Sequence, residues 1–260
     1  MIDNEPNVRI PVDLTNPGQF FACCGLLELA DRLWPGAEGW FKGTEFFVRT
    51  ETAIHSKDEL FEAVMAAELH VSKCCDCTEL ELRITRPLRI DWWRDYIQCD
   101  ADHLRTWSGR QVGLIGDTVQ AIKSHLRLPK DDESLFDVEG VVRKPDGTKV
   151  APLGFDAGRV GTAQDLGSSA DNLGQPIACC VWTEFLALVA LQRFGLLLSD
   201  DEAFEFHTWR EPLTSEIASI AARGMLPQVT GAIGRFRLAP RSGKGYYAFQ
   251  LISLSEWRPQ

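Results

Sequence analysis

Along the first fifty residues, the spacing of the hydrophobic side chains alternates between the pattern of a strand and the pattern of a helix. Residues 8–13 alternate apolar and polar side chains as a short strand does, and residues 15–18 form a turn that can cap a helix over 19–34. Residues 40–50 return as an extended segment in which Phe46 and Val48 share a face. The chain therefore opens with the order strand, helix, strand.

A second helix and a second strand follow. Ser56, with Glu59 three residues later, is a capping box, and apolar residues at helical spacing continue this helix to about His70. Residues 79–85 alternate in the pattern of a half-buried strand, which Pro87 interrupts and residues 88–90 resume. Residues 111–126 are predicted to be helical.

Residues 129–149 contain the turn signals of a seam between two lobes. A charged loop comes first, and Pro145-Asp146-Gly147 then predicts a hairpin-type turn. We predict an N-terminal α/β lobe over 1–128, a connecting loop or hairpin over 129–149 and a C-terminal lobe over 150–260. The fold class is α+β, with mixed or antiparallel sheets packed against helices.

The C-terminal lobe is predicted to form around a buried helix. Residues 176–194 are apolar nearly all round, which is typical of a central helix. Residues 203–209 alternate as a strand and 214–223 form a short helix. The chain then predicts a C-terminal hairpin, with residues 233–238 and 246–254 as its arms and a basic, glycine-containing tip.

Composition narrows the functional classes. With 45% hydrophobic and 25% charged residues the chain is an ordinary folded protein. Its formal net charge of −10 excludes a uniformly basic nucleic-acid coat, so any nucleic-acid contact must be local. Residues 223–258 hold six basic residues against the single acid Glu256, an asymmetry that suits a phosphate-facing edge. Solvated arginines on a surface hairpin are the alternative interpretation.

A second basic segment surrounds Trp107-Ser108-Gly109-Arg110-Gln111. A glycine-containing loop that carries Arg110 and Gln111 has the donors that read base edges or phosphates. A helix start with a buried Trp107 is the alternative.

The cysteines predict a reducing compartment. Most of them are adjacent or nearly adjacent in the chain and lack the spacing of a disulfide framework, so a cytoplasmic location is expected. One constellation has metal-ligand residue types: His70, Cys74, Cys75, Cys77, Cys99 and His103. Small buried side chains explain these cysteines more economically than a metal site, so no cofactor is expected. The remaining cysteines, Cys23, Cys24, Cys179 and Cys180, lie in apolar helical stretches and are predicted to be core.

Neither a signal peptide nor a membrane span is expected. Charged residues interrupt the first thirteen positions, and residues 177–198 are broken by polar side chains. The P-loop, GxGxxG, HExxH and GxSxG motifs are absent from the sequence. Glu184, inside the apolar helix, is either an acid with a raised pKa or a carboxylate paired with a buried arginine.

Several short segments of the sequence resemble a known family. They are FDAGR at 155–159, AQDLGSSADNLG at 163–174, EFLALVALQRF at 184–194 and IPVDLTNPGQFFACCGLLELA at 10–30. Together they are similar to the short large subunits (Csb-type, Cas-eight-like) of type I-U, also called I-G, CRISPR effector complexes.

The resemblance implies a non-catalytic large subunit of a CRISPR RNA-guided Cascade surveillance complex in antiviral defence. Such a subunit helps to recognise the flanking motif (PAM) of target DNA, opens the duplex and recruits the helicase-nuclease. Its implied partners are the backbone and handle-binding subunits, the guide crRNA, double-stranded target DNA and the helicase-nuclease.

The resemblance does not assign DNA-contacting residues, so side-chain chemistry supplies the candidates. They are Arg110, Gln111, Gln164, Ser168, Asn172, Arg235, Arg237, Arg241 and Lys244. For the block that carries Gln164, Ser168 and Asn172, the alternative role is to fix the approach to the central helix. Two other functions stay open: a metal- or acid-base-dependent enzyme using His70, Cys74, Cys77 and Glu184, and a purely scaffolding subunit.

Overall fold

The α+β prediction is confirmed by a computed structural model of the chain. The structure describes residues 5–51, 54, 56–67, 69–74, 77–82, 87–89, 104–105, 111–112, 115–130, 132–150, 152–159, 178–191, 193–195, 197–198, 203–242 and 246–256. Within these residues helices pack against sheets whose neighbouring strands are all antiparallel.

The elements follow one another along the chain with short connections in most places. The helices are α1 (Pro17–Leu33), α2 (Lys57–Ala66), α3 (Ile115–Lys123), α4 (Val181–Ala190) and α5 (Ser215–Ala221). The earlier strands are β1 (Val8–Pro11), β2 (Glu38–Lys42), β3 (Glu45–Arg49), β4 (Leu69–Cys74), β5 (Cys77–Leu82), β6 (Pro87–Arg89), β7 (Leu104–Arg105) and β8 (Gln111–Val112). The later strands are β9 (Glu139–Gly140), β10 (Cys179–Cys180), β11 (Leu197–Leu198), β12 (Phe204–Trp209), β13 (Leu213–Thr214), β14 (Thr230–Phe236), β15 (Leu238–Ser242), β16 (Tyr246–Phe249) and β17 (Leu254–Glu256).

The first sheet has the strand order β1-β3-β2-β13. The segment expected to be extended over 40–50 is mostly a hairpin, β2 and β3, that turns at Gly43. Gly43 has a φ of +61°, a conformation that glycine adopts without a side-chain clash. Phe41, Phe46 and Val48 lie on the buried face of this hairpin, as the period-two pattern predicts.

Helix α1 begins at Pro17, two residues before the predicted start and inside the turn predicted to cap it. The Asn16 side chain caps it by accepting a hydrogen bond from the Gly18 N–H at 3.0 Å, and Pro17 occupies its first turn. The helix ends at Leu33, and Gly36 then turns the chain with a φ of +89°.

The core lies where α1 crosses α4. At Gly25 the two backbones approach so closely that a Cβ would overlap the Leu186 carbonyl oxygen. Phe20 of α1 stacks on Phe206 of β12, with ring centroids 4.1 Å apart, and on Phe41 of β2 at 5.5 Å. Helix α1 therefore packs against the first sheet, the β12 sheet and α4 at once.

The second sheet has the strand order β11-β12-β14-β17. Trp209 at the end of β12 is fully buried, and its indole N–H donates to the Gly39 carbonyl of β2 at 2.7 Å. This bond connects the two sheets. The predicted C-terminal hairpin is present, but its arms are β15 and β16, because β14 pairs with β12 and β17 instead.

Several predicted helix boundaries were wrong. The helix capped by Ser56 ends at Ala66, and the chain then forms β4, which pairs with β5. Residues 111–112 form β8 rather than the start of α3. Cys179 and Cys180 form β10, which pairs with β9, so the central helix starts only at Val181.

The predicted seam contains both expected and unexpected features. Pro145-Asp146-Gly147 forms the expected turn, closed by a β-bridge between Arg143 and Lys149. The same segment also carries a 3₁₀ turn, Leu135–Asp137, and β9. Helices from both sides of the seam contribute to one hydrophobic cluster. The division into two lobes stays a prediction. Among the described helices, none has the length and apolar character needed to cross a membrane.

Candidate nucleic-acid interface

Two of the predicted phosphate-contacting residues, Arg235 and Arg237, lie on an exposed part of β14 and its continuation. Phe236 between them is buried, so the strand's alternation turns both arginines outward. Arg235 pairs in register with Glu205 of β12. At Gly234 the Phe206 ring crosses the strand so closely that no side chain fits there. The inward face of β14 is thus fixed by packing, and its outward face carries Arg235 opposite Glu205.

The hairpin of β15 and β16 follows these arginines directly. Leu238 pairs with Phe249 and Pro240 with Tyr247, and the register then shifts before Ser242 pairs with Tyr246. Arg241 lies within this shift, which places its backbone at the end of the hairpin next to the tip. The Arg241 side chain and Lys244 lie outside the described residues.

The side chains of the remaining candidates lie outside the described residues. Gln111 lies on β8 opposite Arg105, not at a helix start, and its side chain is outside the described part. The other candidates that lie outside the described residues are Arg110, Gln164, Ser168 and Asn172.

A buried carboxylate, Asp156, fixes the chain on both sides of residues 160–177. It is fully buried and accepts hydrogen bonds from the Asn16 side-chain amide at 3.0 Å and from the Cys180 N–H at 2.9 Å. Asn16 also accepts from the Ala157 N–H at 3.2 Å. The start of α1, the start of α4 and residues 156–157 are therefore held together by hydrogen bonds.

Glu184 completes this buried network. Its carboxylate is fully buried in α4 and accepts three backbone N–H groups, from Gly154 at 3.1 Å and from Phe155 and Asp156 at 3.0 Å each. Neither sequence interpretation of Glu184 anticipated these backbone partners. The carboxylate accepts the hydrogen bonds of the buried N–H groups of residues 154–156, so its role is to stabilise the fold.

Arg159 extends the network to the surface. Its guanidinium donates to Glu139 at 2.8 Å and to the Phe136 carbonyl at 2.8 Å, and it lies 3.6 Å from the Asp156 carboxylate. Residues 155–159 therefore fix the approach to α4. The two roles predicted for the block that carries Gln164, Ser168 and Asn172 stay predictions, because those residues lie outside the described part of the chain.

The four described cysteines belong to the core, as predicted. Cys23, Cys24, Cys179 and Cys180 are fully buried. Burial raises the pKa of Cys180 to about 12 and that of Cys23 and Cys24 well above the usual value, so these thiols stay protonated. The candidate zinc ligands among residues 70–103 lie outside the described side chains. Among the side chains that are described, no group of three His, Cys, Asp or Glu forms a metal cluster.

A cationic cleft lies between the two sheets, and none of the residues that line it is a candidate from the sequence. This cleft has a volume of about 500 Å³ and is lined by Trp40, Lys42 and Gly43 from the β2 end and by Thr208, Arg210 and Gly231 from the β12–β14 end, with further apolar residues. Lys42 and Arg210 are exposed, and neither forms an ion pair with a described residue. Their separation in the chain explains why no local sequence signal joins them.

The base of the cleft is a β-bulge. The pairing of β12 with β14 shifts register between His207 and Trp209, and the Thr208 hydroxyl bonds to the Ala232 backbone in place of the regular ladder. A Cβ at Gly231 would lie 2.6 Å from the Thr208 hydroxyl oxygen and 3.5 Å from Arg210 Cγ, so glycine lets these two side chains pack against the β14 backbone. Bulges of this kind often lie next to functional sites.

Known proteins offer no further guide. No family model, curated protein or solved structure matches the chain.

The described residues thus sort into two chemical groups. The buried carboxylates Glu28, Asp156 and Glu184 are each held by donors and stabilise the fold. Exposed cations lie at both ends of β14, at Arg235 on one side and beside Gly231 on the other. Guanidinium and ammonium groups in such positions can contact phosphate oxygens.

Proposed function

We propose that this chain is a non-catalytic large subunit of a CRISPR RNA-guided Cascade complex. In this proposal it contacts target DNA beside the guide-paired region, contributes to flanking-motif recognition and duplex opening, and supports recruitment of the helicase-nuclease. Its partners are the backbone and handle-binding subunits, the guide crRNA and the target duplex. Base pairing with the guide supplies the sequence specificity, so the protein needs only a few well-placed donors.

The observation that carries the proposal is the outward orientation of Arg235 and Arg237 next to the β15–β16 hairpin. The buried Phe236 between them holds the strand, so the two exposed cations lie on a fixed backbone. In a chain with a net charge of −10, such a local group is where a phosphate backbone would make contact.

The buried network that joins the described residues on either side of 160–177 gives further support. Asp156 binds the Cys180 N–H, which brings the two sides of this segment together at the start of α4. The segment carries Gln164, Ser168 and Asn172, the candidates for probing a groove. A site that probes a groove has to be held by rigid elements, and the network fixes the chain at both ends of this segment.

The rival acid-base role for Glu184 is disfavoured by the same network. A general acid or base must reach the proton that it transfers, directly or through one water molecule. The Glu184 carboxylate is fully buried and is bound by three backbone amides.

The test is binding of a labelled target duplex, across a salt series, by the guide-RNA complex assembled with this chain. Wild type is compared with the double variant Arg235→Gln, Arg237→Gln. Glutamine is chosen because a glutamate at position 235 would face Glu205 across the strand pair and destabilise the sheet. Each lost phosphate contact lowers the steepness of the salt dependence by about 0.9, so we expect a reduction of about 2 together with weaker binding.

The matched control is Arg143→Gln, Lys149→Gln. It removes two positive charges from another pair of exposed residues, which face each other across a β-bridge. The control should leave both affinity and salt slope unchanged. Assembly with an unchanged slope in the Arg235/Arg237 variant would contradict the phosphate contact and favour the scaffolding function.

A further inference from the structure

We propose that the cationic cleft lined by Lys42 and Arg210 is a nucleotide-binding site. The expected ligand carries a phosphate group next to a planar base, either as part of a single strand or as a free nucleotide. The inference rests on the cleft alone and holds whether or not the chain joins a guide-RNA complex.

Charge is the first argument. The outer face of the first sheet carries other cations, but each of them is neutralised: Arg9 pairs with Glu45, and Arg49 pairs with Glu38. Glu45 is the register neighbour of Lys42, yet its described ion pair is with Arg9. The described lining of the cleft includes no carboxylate. Lys42 and Arg210 therefore place two positive charges in one concavity without a described counter-ion.

Shape is the second argument. A volume of about 500 Å³ is within the usual range of small-ligand sites. Gly43 keeps one corner of the cleft free of side chains, since no atom lies within 4 Å of where its Cβ would be, and the Arg210 side chain lies over Gly231 on the opposite side. A phosphate oxygen can approach such a corner closely, and the guanidinium of Arg210 suits two of its oxygens at once.

The apolar wall is the third argument. Trp40 lines the cleft, and its ring is held in place by stacking on Phe47, with centroids 5.5 Å apart and planes within 14°, and by the Arg49 guanidinium 5.8 Å from its centroid. Leu14 and Ala232 add further apolar lining. A bare inorganic anion does not use such a wall, whereas the base of a nucleotide contacts aromatic side chains favourably.

The cleft is separate from the proposed DNA-contacting arginines. Gly231 lies near the start of β14 and Arg235 near its end, which separates them by roughly 13 Å at the usual rise of a strand. Variants at the two places therefore report on different surfaces.

The test uses the purified chain and a fluorescein-labelled hexathymidylate, with binding followed by fluorescence anisotropy at low salt. The variant is Lys42→Gln, Arg210→Gln. Both side chains are exposed, so the variant should fold, and its thermal unfolding is compared with wild type. The matched control is again Arg143→Gln, Lys149→Gln, which also removes one arginine and one lysine. We expect the cleft variant to bind about tenfold more weakly and the control to change by less than about twofold.

Competition with unlabelled ligands shows whether the site binds a free nucleotide or a single strand. Displacement of the probe by thymidine 5′-monophosphate supports a free nucleotide, and displacement by unlabelled hexathymidylate alone supports a strand. Equal displacement by inorganic phosphate would overturn the nucleotide assignment. Absence of wild-type binding, or equal binding by wild type and the cleft variant, would overturn the site itself.

Discussion

Replacing Glu184 by glutamine tests whether the buried network holds the approach to α4. The substitution preserves the side-chain size and removes the charge and one acceptor oxygen. In the wild type, Oε1 accepts the N–H groups of Phe155 and Asp156, and Oε2 accepts that of Gly154. A glutamine side chain has one oxygen and one NH₂ group, so its NH₂ must face at least one backbone N–H.

The expected loss of stability follows from these three bonds. A hydrogen bond to a charged group contributes about 1.5–3 kcal/mol, and a buried donor left without an acceptor costs about 1–3 kcal/mol. The oxygen of glutamine can retain two amides with neutral hydrogen bonds, which leaves one orphaned donor. We therefore expect the free energy of unfolding to fall by about 2–4 kcal/mol, a large part of the roughly 5–15 kcal/mol typical of a folded protein.

Equilibrium unfolding in urea measures this loss of stability. An m-value equal to that of the wild type shows that both proteins expose the same surface on unfolding, so their free energies can be compared. Glu62→Gln is the control, because Glu62 is exposed on α2, and its effect should stay within about 0.5 kcal/mol. If Glu184→Gln proves as stable as Glu62→Gln, the carboxylate does not hold residues 154–156, and an acid-base role for Glu184 has to be considered again.

Two further predictions concern the packing of α1. Burial raises the pKa of Glu28, but hydrogen bonds and charges from Arg193 and Arg32 outweigh it and hold that pKa below the usual 4.5. Glu28→Gln should cost about 3 kcal/mol at neutral pH. This difference should be fully present above pH 4.5 and shrink as the pH falls through the lowered pKa, as measured by urea unfolding at several pH values. Gly25→Ala should lower stability by about 1–3 kcal/mol because its Cβ overlaps the facing helix, whereas Gly158→Ala, whose Cβ has ordinary contacts, should be nearly neutral in thermal unfolding. A fully stable Gly25→Ala protein would contradict the close helix crossing.

Local signals were sufficient for much of the fold. The cap at Asn16, the capping box at Ser56 and the turn at Gly147 each depend on neighbouring residues, and each was predicted correctly. The helix that starts after Ser56 was predicted to be too long because Leu69 continues the apolar spacing of Met65. Spacing alone does not reveal that residue 69 pairs with Leu82 in a strand.

The start of the central helix was missed for a related reason. Cys179 and Cys180 are as apolar as the helix that follows, so periodicity extends the helix over them. The structure instead uses the Cys180 N–H for the Asp156 carboxylate, and its thiol accepts the Thr183 N–H at 3.4 Å as an N-cap. A partner twenty-four positions away decides the local structure.

The candidate sites depended even more on distant residues. Arg235 and Arg237 were found because they lie in one basic stretch of the sequence. Lys42 and Arg210 were missed because the sheets bring together residues from distant parts of the chain, and the bulge at Thr208 lets the Arg210 side chain pack over Gly231 at the cleft.

The most direct test of the central claim compares target-duplex binding by the guide-RNA complex assembled with and without this chain. Binding is measured across a salt series for duplexes with the correct and with an altered flanking motif. The proposal predicts a large loss of affinity without the chain, greatest for the correct motif, and a shallower salt dependence. Equal affinity and equal salt slope with and without the chain would contradict a role in target recognition.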